Sequence, residues 1–171
     1  MEFNMPPQMI ERLAELKATA KGPLIYFAHP MSTYGTEYEA LAIKALELQG
    51  LTVLNPAEAW VQESFQQFRA DYPDQYMQFF KLLCDACALC AIMPFPSGLE
   101  LEGLSRADAA KPMLGAGVIY EMDTFFRRNA PVRQLMYWQG AFLTTPVKSF
   151  EGFTRLTVPQ TREALKVFKP Y

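Results

Sequence analysis

Apolar residues recur at helical spacing through residues 8–19 (QMIERLAELKAT), where Met9, Ile10, Leu13 and Leu16 predict a first helix. Gly22-Pro23 break that pattern, and the period collapses into an unbroken apolar run, LIYFA at 24–28, which predicts a short buried strand. Helical spacing returns in TEYEALAIKALELQG (36–50), with Tyr38, Leu41, Ala42, Ala45 and Leu48 on one face and Gly50 as the stop. LTVLNP (51–56) is the next strand, ended by Asn55-Pro56. The crossover between these strands is long enough for parallel pairing, and such connections are right-handed in nearly all cases.

The alternation continues along the chain. Residues 56–70 and 75–86 predict helices, and ACALCAIMPF (86–95) predicts a third buried strand. Residues 97–114 are polar and irregular, a loop with room for one short helix. GAGVIYEMDTFFRRNA (115–130) places Val118, Ile119, Met122, Phe125 and Phe126 on one side of a helix, and PVRQLMYW (131–138) is a fourth strand. FTRLTV (153–158) is a candidate fifth strand, and PQTREALKVF (159–168) a last helix that starts at Thr157 and Pro159. Alternating β and α elements with continuously apolar strands predict a single-domain, doubly wound α/β fold. Its parallel sheet has four to five strands with helices on both faces, and residues 1–22 form a helical N-terminal extension.

Composition narrows the function classes. The chain has 171 residues, half of them hydrophobic and 20% charged, which suits one globular domain. The formal charge is −2 with no basic block, so duplex nucleic acid is not an expected partner. The charged amphipathic N-terminus is unlike a signal peptide, and no apolar run is long enough for a membrane span. We therefore expect a cytoplasmic protein without membrane attachment. Cys84, Cys87 and Cys90 have the C-x2-C-x2-C spacing of a metal or cluster site, but no fourth cysteine follows. Residues three apart on a strand face opposite ways, so Cys87 and Cys90 read as small core residues. No metal or cofactor is expected. Trp60, Phe65, Phe68, Tyr72, Tyr76, Phe79 and Phe80 read as core or subunit interface, and their abundance favours a homo-oligomer.

In such a fold ligands sit beyond the carboxyl ends of the strands. Four segments fall there: HPMSTYG after strand one, NPAEAW after strand two, PFPSG after strand three and YWQG after strand four. The first holds His29, the single histidine, with Ser32, Thr33 and Tyr34 in a hydroxyl-rich turn before a helix, where polar or anionic groups can be held. His29 reads either as a ligand contact or as a ring that satisfies loop carbonyls. Asn55 lies at the same mouth, although Asn-Pro also stops strands for turn reasons alone. Gly115 and Gly117 open a helix and allow close backbone approach, with Glu121 about one turn further on. This is neither a dinucleotide fingerprint nor a phosphate-binding Walker loop.

IYFAHPM in the first strand, CDACALCAIMPFP around the third and GAGVIYE on the next helix resemble the nucleoside 2-deoxyribosyltransferase-like superfamily. Its members include nucleoside deoxyribosyltransferases and nucleotide N-glycoside hydrolases. The resemblance implies that Glu121 attacks C1′ of a deoxyribose, releasing the base and forming a glycosyl ester that a second base or water resolves. It also implies that Tyr26 hydrogen-bonds and orients this nucleophile, and a phenol donor is expected to keep the carboxyl ionised. The partner is then a small nucleoside or nucleotide, with Ser32, Thr33 and Tyr34 on a sugar hydroxyl or 5′-phosphate. The chain departs from the family pattern in two places. The aspartate shortly before the helix is replaced by Gly115, and the one on the helix before strand three falls near Met77 and Gln78. Arg106 or Asp108 in the long intervening loop is a candidate substitute. The rival expectation is a nucleotide-binding module of the same fold without glycosidic chemistry, and a weaker one is an NAD-cleaving α/β enzyme.

Overall fold

The apolar run Leu24–Ala28 becomes β1, inside a five-stranded central sheet, in a computed structural model that describes residues 2–170. β1 pairs in parallel with β2 (Thr52–Leu54) on one side and with β3 (Leu89–Ile92) on the other. β3 pairs in parallel with β5 (Val132–Trp138), which pairs antiparallel with the edge strand β6 (Ala141–Val147). The order is β2-β1-β3-β5-β6, so this is an α/β domain with a mostly parallel sheet.

Alternate residues of each strand supply two separate cores. Tyr26, Ala28, Leu54, Cys90, Ile92 and Val132 pack with residues of α1 (Pro7–Thr19), α3 (Ala59–Asp71), α4 (Met77–Asp85) and α6 (Ala116–Arg127). Ile25, Phe27, Val53, Ala91, Met93 and Leu135 pack with α2 (Glu37–Glu47). Burial on both faces is why these strands read as unbroken apolar runs rather than alternating ones. Phe68 and Phe79 are fully buried, so the aromatic series of α3 and α4 is centred on the core. No helix among the described residues is long and apolar enough to cross a membrane.

Three expectations need correction. On α2 the inward residues are Glu39, Ala42 and Leu46, while Leu41 is 40% and Leu48 79% exposed. Ala42 and Leu46 pack on the sheet, with Tyr38, Ile43 and Ala45 partly buried against the same cluster. YWQG is not an open loop but the end of β5 and the turn of a hairpin, with Gln139 (φ 49°) and Gly140 (φ 83°) both left-handed, as a type I′ turn requires. The pairing runs from Val132↔Val147 to Trp138↔Ala141. FTRLTV supplies only β7 (Thr154–Arg155), which pairs with β4 (Met113–Leu114) in a separate two-stranded sheet. The fifth strand of the central sheet is therefore β6, in a segment expected to hold no strand. The long loop carries a short helix, α5 (Arg106–Ala109), and the chain closes with α7 (Val158–Val167), held at its start by a Thr157–Gln160 capping box.

Candidate functional site

Tyr26 sits midway along β1 on the face toward α6 and is fully buried. α6 is anchored by Val118, Met122 and Phe125, and Glu121 lies within this buried stripe, only 8% exposed. The fold brings together two groups 95 residues apart: Tyr26 Oη donates to Glu121 Oε1 at 2.5 Å. Burial pushes the Glu121 carboxyl up to about 8, and the Tyr26 hydrogen bond pulls back only part of that. Glu121 is thus mainly neutral at pH 7. The expectation that the phenol keeps it ionised fails because desolvation outweighs one hydrogen bond. Burial, and then the nearness of Glu121, push the Tyr26 hydroxyl and the Cys84 and Cys90 thiols up, so all three stay protonated.

The turn after β1 contains a single 3-10 turn, Met31–Thr33. Thr33 Oγ1 donates to the Pro30 carbonyl at 2.6 Å, and Thr36 Oγ1 donates to the Thr33 carbonyl at 2.6 Å. Thr33 is fully buried, so it closes the turn rather than facing a ligand. Ser32 differs: its Oγ is buried with no hydrogen-bond partner. Tyr34 is half-buried, its ring 4.9 Å from that of His29. Burial, then Glu121, then Glu39 push its hydroxyl up.

His29 is a support rather than a contact. Nδ1 donates to the Phe27 carbonyl at 2.9 Å, since a carbonyl only accepts, and Nε2 meets Glu39 Oε2 at 2.7 Å. Neither nitrogen is left for a ligand, and the ring stacks on Phe27. Burial pushes Glu39 up, but the hydrogen bond and charge of His29, the Gly35 N–H and the Asn55 side chain outweigh it. They hold Glu39 below the usual carboxylate range. Asn55 is itself buried, with Oδ1 accepting from the Ala57 N–H at 3.0 Å. Glu39 was missed from sequence because Thr36-x-x-Glu39 has the form of a capping box. Thr36 does accept from the Glu39 N–H, but the Glu39 carboxylate turns to Gly35 and His29 instead.

The two glycines before Glu121 separate. A Cβ on Gly115 would lie 3.0 Å from Thr161 Cγ2 and 3.3 Å from Phe95 Cε2, so this glycine serves helix packing and not a ligand. The Ala116 N–H is already taken by Thr161 Oγ1 at 3.0 Å. A Cβ on Gly117 meets nothing within 4 Å. Gly117 is four residues before Glu121 and therefore on the same helix face. Arg106 and Asp108, the candidate substitutes, sit on α5, where Ser105 Oγ caps the helix by accepting from the Asp108 N–H and the Asp108 carbonyl accepts from Thr154 Oγ1. Tyr26, Glu121, Ser32, Tyr34 and Gly117 remain as groups that can address a ligand.

A separate cleft of about 680 Å³ opens at the carboxyl ends of β3 and β5, walled by Tyr38, Leu41, Phe95, Tyr137 and Phe168. Neither Tyr26 nor Glu121 is in its wall. Comparison of the chain with family models, with characterised proteins and with solved structures returns no match.

Proposed function

We propose that this protein cleaves or exchanges the N-glycosidic bond of a nucleoside or its 5′-monophosphate, with Glu121 as nucleophile and Tyr26 as the group that orients it. The observation that carries this reading is the 2.5 Å hydrogen bond from a fully buried phenol to a carboxyl one helical turn beyond Gly117, where an added Cβ would meet nothing. Tyr26 occupies Oε1 and fixes the carboxyl plane, leaving Oε2 to form the bond to C1′. As that bond forms, the C1′–N bond breaks and its electron pair leaves with the base, which takes up a proton. Water, or a second base, then attacks C1′ of the ester and releases Glu121. The reaction as written needs no cofactor. We also read the fold as doubly wound: α2 lies on one face, α3, α4 and α6 on the other, and the connections from β1 and β3 diverge beside the site.

A binding module without glycosidic chemistry is the rival reading, and one feature favours it: burial pushes the Glu121 carboxyl up to about 8. The two separate on pH. A nucleophilic Glu121 gives a rate that climbs as pH rises toward 8, because only the carboxylate attacks. The test is chromatography of purine and pyrimidine deoxynucleosides and their monophosphates after incubation with protein, with and without a free acceptor base. Free base without an acceptor identifies hydrolysis, and a new nucleoside formed only with one identifies transfer. Either must vanish in Glu121→Ala; equal inertness of wild type and variant moves the binding module ahead.

A further inference from the structure

We propose that the cleft at the carboxyl ends of β3 and β5 binds a free aromatic amino acid, its ring against the aromatic walls, its ammonium at Glu37 and its carboxylate at Lys169. Neither Tyr26 nor Glu121 lines this cleft, so the proposal stands independently of their chemistry. The cleft arises from a mismatch in strand length. β3 ends at Ile92, and Pro94 and Pro96 lead the chain out of the sheet, since proline cannot donate to a ladder. Phe95 is instead held by Met113, the two residues exchanging backbone hydrogen bonds at 2.9 and 3.0 Å. β3 pairs with β5 only as far as Ile92↔Gln134, while β5 runs on to Trp138. The hairpin therefore outruns its neighbour, and the gap beside it is the cleft of about 680 Å³.

Two sets of aromatic rings line the gap. On the hairpin side Tyr38 of α2 and Tyr137 of β5 lie 5.8 Å apart, and Phe142 of β6 stands edge-on to them at 5.0 and 5.2 Å. From the other elements come Phe95 and Phe168, edge to face at 5.9 Å. Rings that brace one another in this way give a preformed wall, and Tyr137 remains 49% exposed to receive a guest ring. A cleft of this size suits a small metabolite. Its charged lining is one carboxylate and one ammonium: Glu37 in the first turn of α2, and Lys169 just beyond α7. Both are exposed, and neither forms an ion pair among the described residues. A neutral aromatic such as a nucleobase leaves both charges unused. An anionic aromatic gains Lys169 but meets Glu37, and a cationic one does the reverse. A free aromatic amino acid carries ring, ammonium and carboxylate in one small molecule and complements all three features.

The experiment is calorimetric titration of the full chain with L-phenylalanine, 3-phenylpropionate (no ammonium), 2-phenylethylamine (no carboxylate), L-leucine (no ring) and adenosine. Wild type is compared with Glu37→Gln, Lys169→Gln and Tyr137→Ala, all at exposed positions. Phenylalanine should bind with a dissociation constant on the order of 0.1–1 mM, as its size allows. Each compound that lacks one feature should bind about three- to tenfold more weakly. The decisive pattern is crossed. Glu37→Gln should weaken phenylalanine and phenylethylamine but not phenylpropionate, whereas Lys169→Gln should weaken phenylalanine and phenylpropionate but not phenylethylamine. Tyr137→Ala should weaken all three aromatic compounds. No binding of phenylalanine at about 10 mM, well above the affinity expected for a ligand of its size, overturns the proposal. So does a uniform loss across all ligands in both charge variants, since neither charge then reads its own end of the ligand. Adenosine bound as tightly as phenylalanine, and unaffected by either charge variant, also overturns it, because the cleft then reads rings alone.

Discussion

Replacing Glu121 by glutamine measures what it costs this fold to keep a carboxyl buried. The carboxyl moves from an ordinary 4.5 to about 8, with burial as the dominant cause. At about 1.36 kcal/mol per pH unit, that shift corresponds to ~5 kcal/mol once fully developed. The sign follows from a folded-state value raised above the unfolded one. Below pH 4.5 both states hold the proton and the stability contribution is intact. Between 4.5 and about 8 the unfolded chain ionises while the folded one does not, and stability falls with each unit. Above about 8 the whole contribution has been lost. Glutamine does not titrate, and its carbonyl can still accept from Tyr26, so its stability lacks this slope. Its extra N–H groups impose a roughly constant offset of about 1–3 kcal/mol if unpartnered. Urea unfolding of both proteins, followed by the fluorescence of Trp60 and Trp138, gives the difference at each pH, and the titration of all other groups cancels. Between about pH 5 and about pH 9 the variant should gain ~3–5 kcal/mol relative to wild type. A difference that stays flat with pH would refute the account of Glu121 as a burial-neutralised acid.

Other perturbations test neighbouring parts of the argument. Tyr26→Phe removes the one hydrogen bond that lowers Glu121, so the variant should lose about 1–2 kcal/mol. Under the proposed chemistry it should also move the rising limb of the pH–rate profile to higher pH; an unmoved limb would deny Tyr26 its influence on Glu121. Gly115→Ala drives a Cβ against Thr161 and Phe95 and should cost about 1–3 kcal/mol, whereas Gly117→Ala meets open space and should gain roughly 0.5–1 kcal/mol of helix propensity. Thermal melts of the pair should shift in opposite directions, and Gly117→Ala should still impair turnover if substrate uses that space. Gln139→Asn puts a residue tolerant of positive φ at the first position of the hairpin turn, and denaturant unfolding should show a gain of about 0.5–1 kcal/mol.

Much of the fold was legible because its elements answer to local rules. The run at 24–28 became β1 with those bounds, and the Thr157 start of the last helix became a full capping box. β6 escaped because Pro146 sits in the strand, and proline in an apolar run argues against a strand unless it lies on an edge. The usable signal was Gln139-Gly140, an X-Gly pair between two apolar runs, whose meaning depends on both flanks pairing. Tyr26 and Glu121 were paired by the family resemblance, and the fold does bring their side chains within hydrogen-bond distance. Glu39 carried no signal of its own, since only the fold brings its carboxylate to His29. His29, Thr33 and Asn55 lie beyond the strand ends as expected, yet their bonding atoms are spent on the chain itself, and Gly115 opens α6 as expected but packs against Thr161 and Phe95.

Hydrophobic period and turn chemistry, which act over a few residues, suffice to set the parallel strands, the helices between them and the end of the sheet where a site forms. Long-range packing settles the rest: which stripe of α2 faces inward, which glycine is free, and whether an acid keeps its proton. Desolvation and hydrogen-bond partnership are properties of an environment, and around Glu121 that environment is assembled from β1, β3 and α4, elements far apart in the chain. No local pattern near residue 121 encodes how much water those elements exclude.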